Sequence, residues 1–409
     1  MKQNYRHTPG KRGKGAVLDV GLQCSHSCTF CYYKNYNGSR DFEALRQGGF
    51  RCAMDLIEIL KLFKHHSYNH FDVTGGEPTL HPDIVPIIEK GCRELGLAGR
   101  IITLGQFLHR EYKGNSKKRP LIDALLDAGL TDFLFSLHAA DETQFHQFTR
   151  GSLKKLEKAM DHLDGKDFQY GTNTVVFKGN LTSLQAISEK ITKHHVYIHN
   201  FILFNAYHGW RDASKTPSIQ AKYSDIRPHL ESALEKLNSQ GKKIAVNIRY
   251  APYCVLKGME KHIVGLTGTF YDPFEWQNRA CNYDKSPEYC AMPVEMEDKY
   301  SITWITPEKT GDRYKVIQNR YQDIYPYQNK YKEPIIAIRG DHFTVFPEKC
   351  KDCAALPFCD GLSPIYLRHH GSSELSPYDH FGAEGALPGA RLNYTLPFHV
   401  KKNQFEKII

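Results

Sequence analysis

CSHSCTFC, residues 24–31, sets Cys24, Cys28 and Cys31 in one short loop, separated by three residues and then by two. A closed structural metal site takes four protein ligands and usually announces itself as two separated cysteine pairs. Three thiols leave a coordination position for something else. The loop follows directly on a β-branched run, AVLDV at 16–20. Its thiols therefore sit at the C-terminal end of a strand, where barrel and open-sheet α/β proteins gather their chemistry.

Runs of the same kind recur along the chain: FDVTG (71–75), RIITL (100–104), DFLFSL (132–137), NTVVF (173–177) and FILF (201–204). Between them the apolar residues take helical spacing, with Met54, Ile57, Leu60 and Phe63 on one face, Ile84, Ile87 and Ile88 on another, and Leu121, Leu125 and Leu126 on a third. Parallel strands need such crossovers. Six units exceed a five-stranded flavodoxin-like sheet and fall short of an eight-stranded barrel. The expected fold is α/β, a partial (β/α)6 TIM-like barrel. A Lys- and Glu-rich helix is expected from about 226 to 240, and a seventh strand at IAVNIRY, 244–250. Beyond Tyr250 the rhythm breaks into Pro- and aromatic-rich pieces that hold six of the eleven cysteines. The expected organisation is a basic extension at 1–14, the barrel at 15–250 and a smaller C-terminal cysteine-rich domain with its tail at 251–409.

Composition narrows the class. A chain of 409 residues with 41% hydrophobic content can fill a large core. The first residues, MKQNYRHTPGKR, lack the apolar segment of a secretory signal, and no run approaches a membrane span. The expectation is a soluble, cytoplasmic protein. An odd number of cysteines clustered near both ends suits metal binding in a reducing compartment better than disulfides. The net charge of +9 is scattered, apart from a basic tip at Lys113, Lys117, Lys118 and Arg119 that reads as a solvated loop. Cys52 and Cys92 fall on helices and are expected as small buried hydrophobes. The histidine pairs His65/His66, His194/His195 and His369/His370 show no ligand spacing and are expected on the surface.

Cys24, Cys28 and Cys31, with aromatic Phe30 just before the last, reproduce a Cys-x3-Cys-x-aromatic-Cys signature. With them, Gly75-Gly76-Glu77-Pro78 closes the second strand run. In both motifs the chain resembles the radical S-adenosylmethionine (SAM) superfamily. The resemblance implies a 4Fe-4S cluster on the three thiolates, whose open iron is chelated by the amino and carboxylate groups of SAM. It implies reductive cleavage of SAM to methionine and a 5′-deoxyadenosyl radical that abstracts hydrogen from substrate. The GGEP element would hold the SAM amino group, which assigns Gly75, Gly76 and Glu77 to cofactor binding beside Phe30. Ser136 in FLFSLHAAD, Asn173 and Arg150 in FTRG fall in segments where related enzymes contact SAM, though each suits a strand-end or capping role equally well.

Cys350, Cys353 and Cys359 follow as Cys-x2-Cys-x5-Cys in CKDCAALPFC. A Cys-x2-Cys knuckle alone is zinc or iron-sulfur. In this position it resembles the SPASM/twitch auxiliary-cluster domain of radical SAM enzymes, with Ser363 where the family pattern has a further cysteine. The resemblance implies one auxiliary 4Fe-4S cluster on these three thiols, its fourth ligand coming from Cys290, Cys281 or Cys254. Cys254 has a second reading, as a thiol that returns hydrogen to a substrate radical.

The first functional expectation is an enzyme acting on a small polar metabolite of sugar, aminocyclitol or nucleotide type, as dehydrogenase, dehydratase or epimerase, served by an electron donor such as flavodoxin or ferredoxin. The short stretch ahead of Cys24 favours that reading over the second, a maturase that modifies or crosslinks a peptide. A metal-binding nucleic-acid module is the third; it lacks a basic-aromatic array and leaves GGEP unexplained.

Overall fold

The computed structural model describes residues 14–31, 49–65, 68–114, 118–204, 216–239, 241, 244–264, 276–277, 335–339, 344–355, 359 and 361–379. Its spine is a sheet of parallel strands: β1 (Lys14–Asp19), β2 (Tyr68–Thr74), β3 (Ala98–Thr103), β6 (Asp132–Ser136), β7 (Tyr170–Val176), β8 (Val196–Leu203) and β9 (Ala245–Arg249). They lie side by side in that order. Two-residue strands extend the edges, β10 (Ile263–Val264) on β9 and β11 (Trp276–Gln277) on β1. β1 and β9 do not pair, so the barrel is partial and open, as the strand rhythm predicts. The six expected runs each form a strand, and 244–250 supplies the seventh.

Helices α1 (Ala53–His65), α2 (Ile84–Glu89), α3 (Leu121–Asp127), α4 (Glu142–Thr149), α5 (Leu153–Asp164), α6 (Leu184–Thr192) and α7 (Tyr223–Asn238) form the crossovers. Their apolar faces bury against one side of the sheet. Phe71 of β2 fits against Gly91 beyond α2 and Gly99 of β3, where an added methyl carbon would come within 2.8 and 2.9 Å of the ring. Ile84, Ile87, Ile88, Leu121, Leu125 and Leu126 are buried as expected. Helix α1 turns differently: Leu56, Ile59, Leu60 and Phe63 face inward, and Met54 is 73% exposed. Cys52, directly before α1, is also exposed, which corrects its expected burial. Cys92 is packed against the core as expected, and burial pushes its thiol up to about 12.

The sheet's other face carries polar residues in two layers, because neighbours along a strand alternate sides. Near the N-terminal ends, Arg100 of β3 binds Asp72 of β2 through two bonds of 3.0 and 2.7 Å and approaches Asp132 of β6 at 3.7 Å. Tyr197 of β8 donates its hydroxyl to Asp132 at 2.6 Å. This buried charged plug closes the floor. Further along the strands, Ser136, Asn173, Asn200 and Asn247 stand in register across β6 to β9.

A ribbon of β4 (Glu111–Lys113) and β5 (Lys118–Pro120) carries the basic tip. Its charges are partly paired, Lys118 with Glu111 at 3.1 Å and Arg119 with Asp127, and Lys117 lies outside the described residues. His194 is buried beside Asp164 rather than on the surface, with Nδ1 2.7 Å from the carboxylate. The C-terminal elements are a hairpin of β12 (Ile335–Arg339) with β13 (Thr344–Pro347), and helix α8 (Pro364–His370), which docks on α7 through Tyr366 and Tyr223, ring centroids 4.4 Å apart. Among the described residues no helix is long and apolar enough to cross a membrane.

Candidate cluster and cofactor site

The three-thiol loop leaves β1 at Asp19, whose carboxylate accepts the N–H of Gly21 at 3.0 Å. Gly21 has φ +118, and its turn lies against Phe50. The loop is then fixed on two sides. Ser27 N–H donates to Thr149 O at 3.0 Å and Thr29 N–H to Phe148 O at 2.9 Å, tying it to the end of α4. On the other side, Gly76 N–H donates to Gly21 O at 2.8 Å and Glu77 N–H to Gln23 O at 2.9 Å.

That second contact gives the paired glycines a physical reason. A Cβ on Gly76 would stand 2.2 Å from Gln23 O, and one on Gly75, which has φ +139, would stand 2.3 Å from Gly21 O. Both glycines allow backbone to meet backbone, and the meeting joins the GGEP turn to the cysteine loop. Glu77 is 2% exposed, and its carboxylate is engaged within the chain. It accepts the hydroxyls of Thr79 and Thr103 at 2.5 Å each, and the N–H groups of Thr79 and Leu104 at 3.2 and 3.1 Å. It thereby clamps the end of β3 to the end of β2.

Phe30 is buried, edge-on to His138 with ring centroids 4.5 Å apart, and tilted against Phe177 at 5.1 Å. Ser136 at the end of β6 and Asn173 in the middle of β7 are paired neighbours. Arg150 ends α4 in the left-handed region at φ 62 and is exposed, one residue past the carbonyls that hold the cysteine loop. Sequence reasoning missed Asn200 and Asn247, which continue the row; Asn247 donates its side-chain amide to Asn200 at 2.8 Å. Their signal was an Asn at the centre of each of two strand runs, IHNFI and AVNIR.

The second thiol set closes around one cavity, lined by Cys254, Cys350, Cys353 and Cys359 with Phe346, Leu362 and other apolar neighbours. Cys254 comes from the turn after β9, and the other three follow β13. Backbone N–H groups point at sulfur, from Tyr378 to Cys353 and from Gly361 to Cys359, each at 3.4 Å. Burial, reinforced by the neighbouring thiols, raises Cys350 well above the ordinary range; burial also raises Cys254, against the N–H of Ser376. A cationic group in the cavity would reverse both shifts.

Four thiols gathered around one apolar cavity are a donor set that suits an iron-sulfur cluster or a structural zinc ion. Among the described residues Asp161, Asp164 and His194 also bring their ligand atoms to within 4.8 Å of one another. Ser363, where the resemblance expects a cysteine, is buried and caps α8, its hydroxyl accepting the N–H of Tyr366 at 3.5 Å. Cys281 and Cys290 lie outside the described residues.

Comparison with known proteins agrees with this geometry. Residues 19–187 match the model of the Radical SAM superfamily. A stretch of 232 residues is 27% identical to the PqqA peptide cyclase of Methylorubrum populi, covering 55% of each chain. A stretch of 241 residues is 26% identical to a GTP 3′,8-cyclase of Staphylococcus aureus, covering 56% of this chain and 66% of that one. The molybdenum cofactor biosynthesis protein moc-5 of Caenorhabditis elegans is 31% identical over 130 residues, 30% of this chain and 19% of that protein. In these three the matched stretch thus covers between 19% and 66% of the relative's own length. Among solved structures, native anSMEcpe with bound AdoMet and Kp18Cys peptide superposes with a TM-score of 0.52 at 12% identity, covering 93% of this chain and 95% of that one. That likeness is one of fold.

Proposed function

From a chain that carries a radical SAM domain over residues 19–187, we propose an enzyme that removes a hydrogen atom from its substrate with S-adenosylmethionine and completes the reaction as an oxidation. The observation that carries this reading is the contrast between its two thiol sets. Cys24, Cys28 and Cys31 offer three ligands on one loop, whereas Cys254, Cys350, Cys353 and Cys359 offer four around one cavity. With SAM bound and an electron supplied, a 4Fe-4S cluster on the first set supplies hydrogen abstraction. A cluster on the second set, closed by four thiolates, supplies an outlet for an electron rather than a coordination point for substrate.

The substrate then gives up one hydrogen atom, one electron and one proton. That balance favours dehydrogenation or bond formation over epimerisation, in which no electron leaves. The position of Cys254 among three other thiols supports ligation over hydrogen return.

Within this reading Gly75 and Gly76 seat the GGEP backbone on the cysteine loop, Glu77 holds that turn rigid, and Phe30, Ser136, Asn173 and Arg150 border the cofactor. A flavodoxin- or ferredoxin-type protein in the cytoplasm supplies the first electron. For substrate, a small polar metabolite, with a nucleotide as its leading member, is supported by the likeness to the GTP 3′,8-cyclases. A peptide side chain is the second reading, supported by the likeness to PqqA peptide cyclase.

The test is anaerobic release of 5′-deoxyadenosine by the reconstituted, reduced protein, with small and macromolecular fractions of cell extract added separately. Stimulation by the small fraction supports the metabolite, and stimulation by the macromolecular fraction alone supports the peptide. No release under either condition overturns the radical assignment.

A further inference from the structure

We infer that Lys257 sets the reduction potential of a cluster held by Cys254, Cys350, Cys353 and Cys359, raising it so that the cluster takes up the electron the substrate gives up. The inference rests on the auxiliary-cluster reading above. In that step the substrate radical is oxidised by one electron and releases a proton to solvent, and the cluster in its oxidised form is the electron acceptor.

Lys257 directly follows the one-turn helix Tyr253–Leu256 that carries Cys254. Its backbone is tied to the barrel, its carbonyl accepting the Arg227 guanidinium of α7 at 2.9 Å. Its side chain is fixed at two points. Nζ donates to the Ser376 hydroxyl at 2.8 Å and stands over the Tyr378 ring, 4.7 Å from the centroid. That ring is itself held, because the Tyr378 hydroxyl donates to Glu260 at 2.7 Å and lies 3.2 Å from Tyr253 O. A flexible four-carbon stem restrained in this way keeps its charge in one place.

The place is beside the thiols. Ser376 and Tyr378 belong to the segment 375–378, whose Leu375 and Pro377 line the thiol cavity. The same two residues turn backbone N–H groups to sulfur, Ser376 toward Cys254 and Tyr378 toward Cys353 at 3.4 Å. The ammonium is thus fixed to the segment that meets the ligands. Burial raises the Cys254 thiol, and the Ser376 N–H and the Lys257 ammonium both pull it back toward the thiolate. Among the described residues no carboxylate pairs with Lys257, so its charge is not cancelled.

An electron entering the cluster adds negative charge to four thiolates in an apolar cavity, which burial alone opposes. Cluster potential follows net charge, hydrogen bonds to sulfur and exposure. The backbone N–H groups supply dipoles, and Lys257 supplies a full positive charge. At the effective dielectric near a protein surface, a unit charge within about 10 Å shifts such an equilibrium about tenfold.

The test reads the potential directly. Cys24, Cys28 and Cys31 are replaced by Ala in the full-length protein, so that the second cluster alone is read, and the reconstituted protein is titrated anaerobically against redox mediators and followed by EPR. Lys257→Met keeps the length of the side chain and removes its charge. It should lower the potential by about 60 mV, which is tenfold for one electron. Lys257→Arg should hold the parent value. Ser376→Ala releases the ammonium but keeps the N–H at Cys254, and should lower the potential by less. Iron content should not change in any of the three. An unchanged potential in Lys257→Met overturns the inference, as does an equal fall in Lys257→Met and Lys257→Arg. If Lys257→Met loses its iron, Ser376→Ala decides, and an unchanged potential there overturns the inference. Zinc in place of iron in the parent protein would instead overturn the auxiliary-cluster reading.

Discussion

Glu374 accepts the backbone N–H of Ser224 at 2.8 Å across 150 residues of sequence. Its other carboxylate oxygen takes the hydroxyl of Tyr366, whose oxygen in turn accepts Tyr223 N–H at 3.0 Å. Helix α7 begins at Tyr223, and its N-cap residue Lys222 makes no side-chain cap bond. The first turn is therefore capped from the C-terminal segment, with a carboxylate at the positive end of the helix. This joins the thiol-bearing elements to the barrel.

The cap makes that junction pH-sensitive. Burial alone would raise the Glu374 carboxyl, but hydrogen bonds from Ser224 and Tyr366 outweigh it and hold the group below its usual value. A depressed carboxyl contributes stability that is present above the unfolded value near 4.3 and lost as pH falls through the lower folded value. Hydrogen exchange at the first turn of α7 should therefore accelerate as pH falls below about 4, beyond the intrinsic trend. Glu374→Ala should show fast exchange there at neutral pH and cost about 1 kcal/mol of stability. Equal protection in the variant would remove the capping role.

Gly76→Ala should empty the three-thiol site while sparing the other. The added methyl would stand 2.2 Å from Gln23 O and 2.5 Å from Leu22 O, so the cysteine loop must leave its seat. Iron per reconstituted chain should fall by about four, the content of one cluster. Gly165→Ala is the control: its nearest neighbour would be at an ordinary 3.4 Å, and iron should not change.

Iron content also tests the ligands of the second site. With Cys24, Cys28 and Cys31 all replaced by Ala, about four irons should remain per chain. Adding Cys254→Ala should deplete them, whereas Cys281→Ala or Cys290→Ala should not. Retention of iron in the Cys254 variant, or zinc in place of iron, would contradict the four-thiol assignment.

The barrel was legible because parallel strands buried on both faces read as continuous apolar runs, and their spacing counts the units. The cluster loop was legible because its three ligands are local. What escaped depends on contacts between distant segments. Nothing near Glu77 in sequence announces that Thr103 and Leu104 occupy its carboxylate. Spacing could not show that Cys254 meets the knuckle across about a hundred residues, a contact only the fold makes; Cys281 and Cys290 lie outside the described residues. Cys52 and Met54 read as core by residue type, yet α1 turns its Leu56–Ile59–Phe63 stripe inward and leaves them outside. His194 read as surface by type, yet Asp164 holds it in.

Asp132 gives a pH dependence of opposite sign to that of Glu374. It is buried on the barrel floor, and desolvation raises its carboxyl to about 6 despite the opposing pull of Arg100 and Tyr197. Between about 4 and 6 the folded chain holds a proton there that the unfolded chain has released, so this residue lowers stability as pH rises through that window. By linkage the loss is on the order of 3 kcal/mol. Asp132→Asn, which keeps an oxygen for Tyr197, should flatten the slope and leave the protein no less stable at pH 7. Arg100→Met should do the reverse, leaving Asp72 and Asp132 without their counter-charge and costing about 3 to 5 kcal/mol. Urea titrations at pH 4.5, 6 and 7.5 read both variants. A wild-type slope unchanged by Asp132→Asn would place the charge on the floor elsewhere.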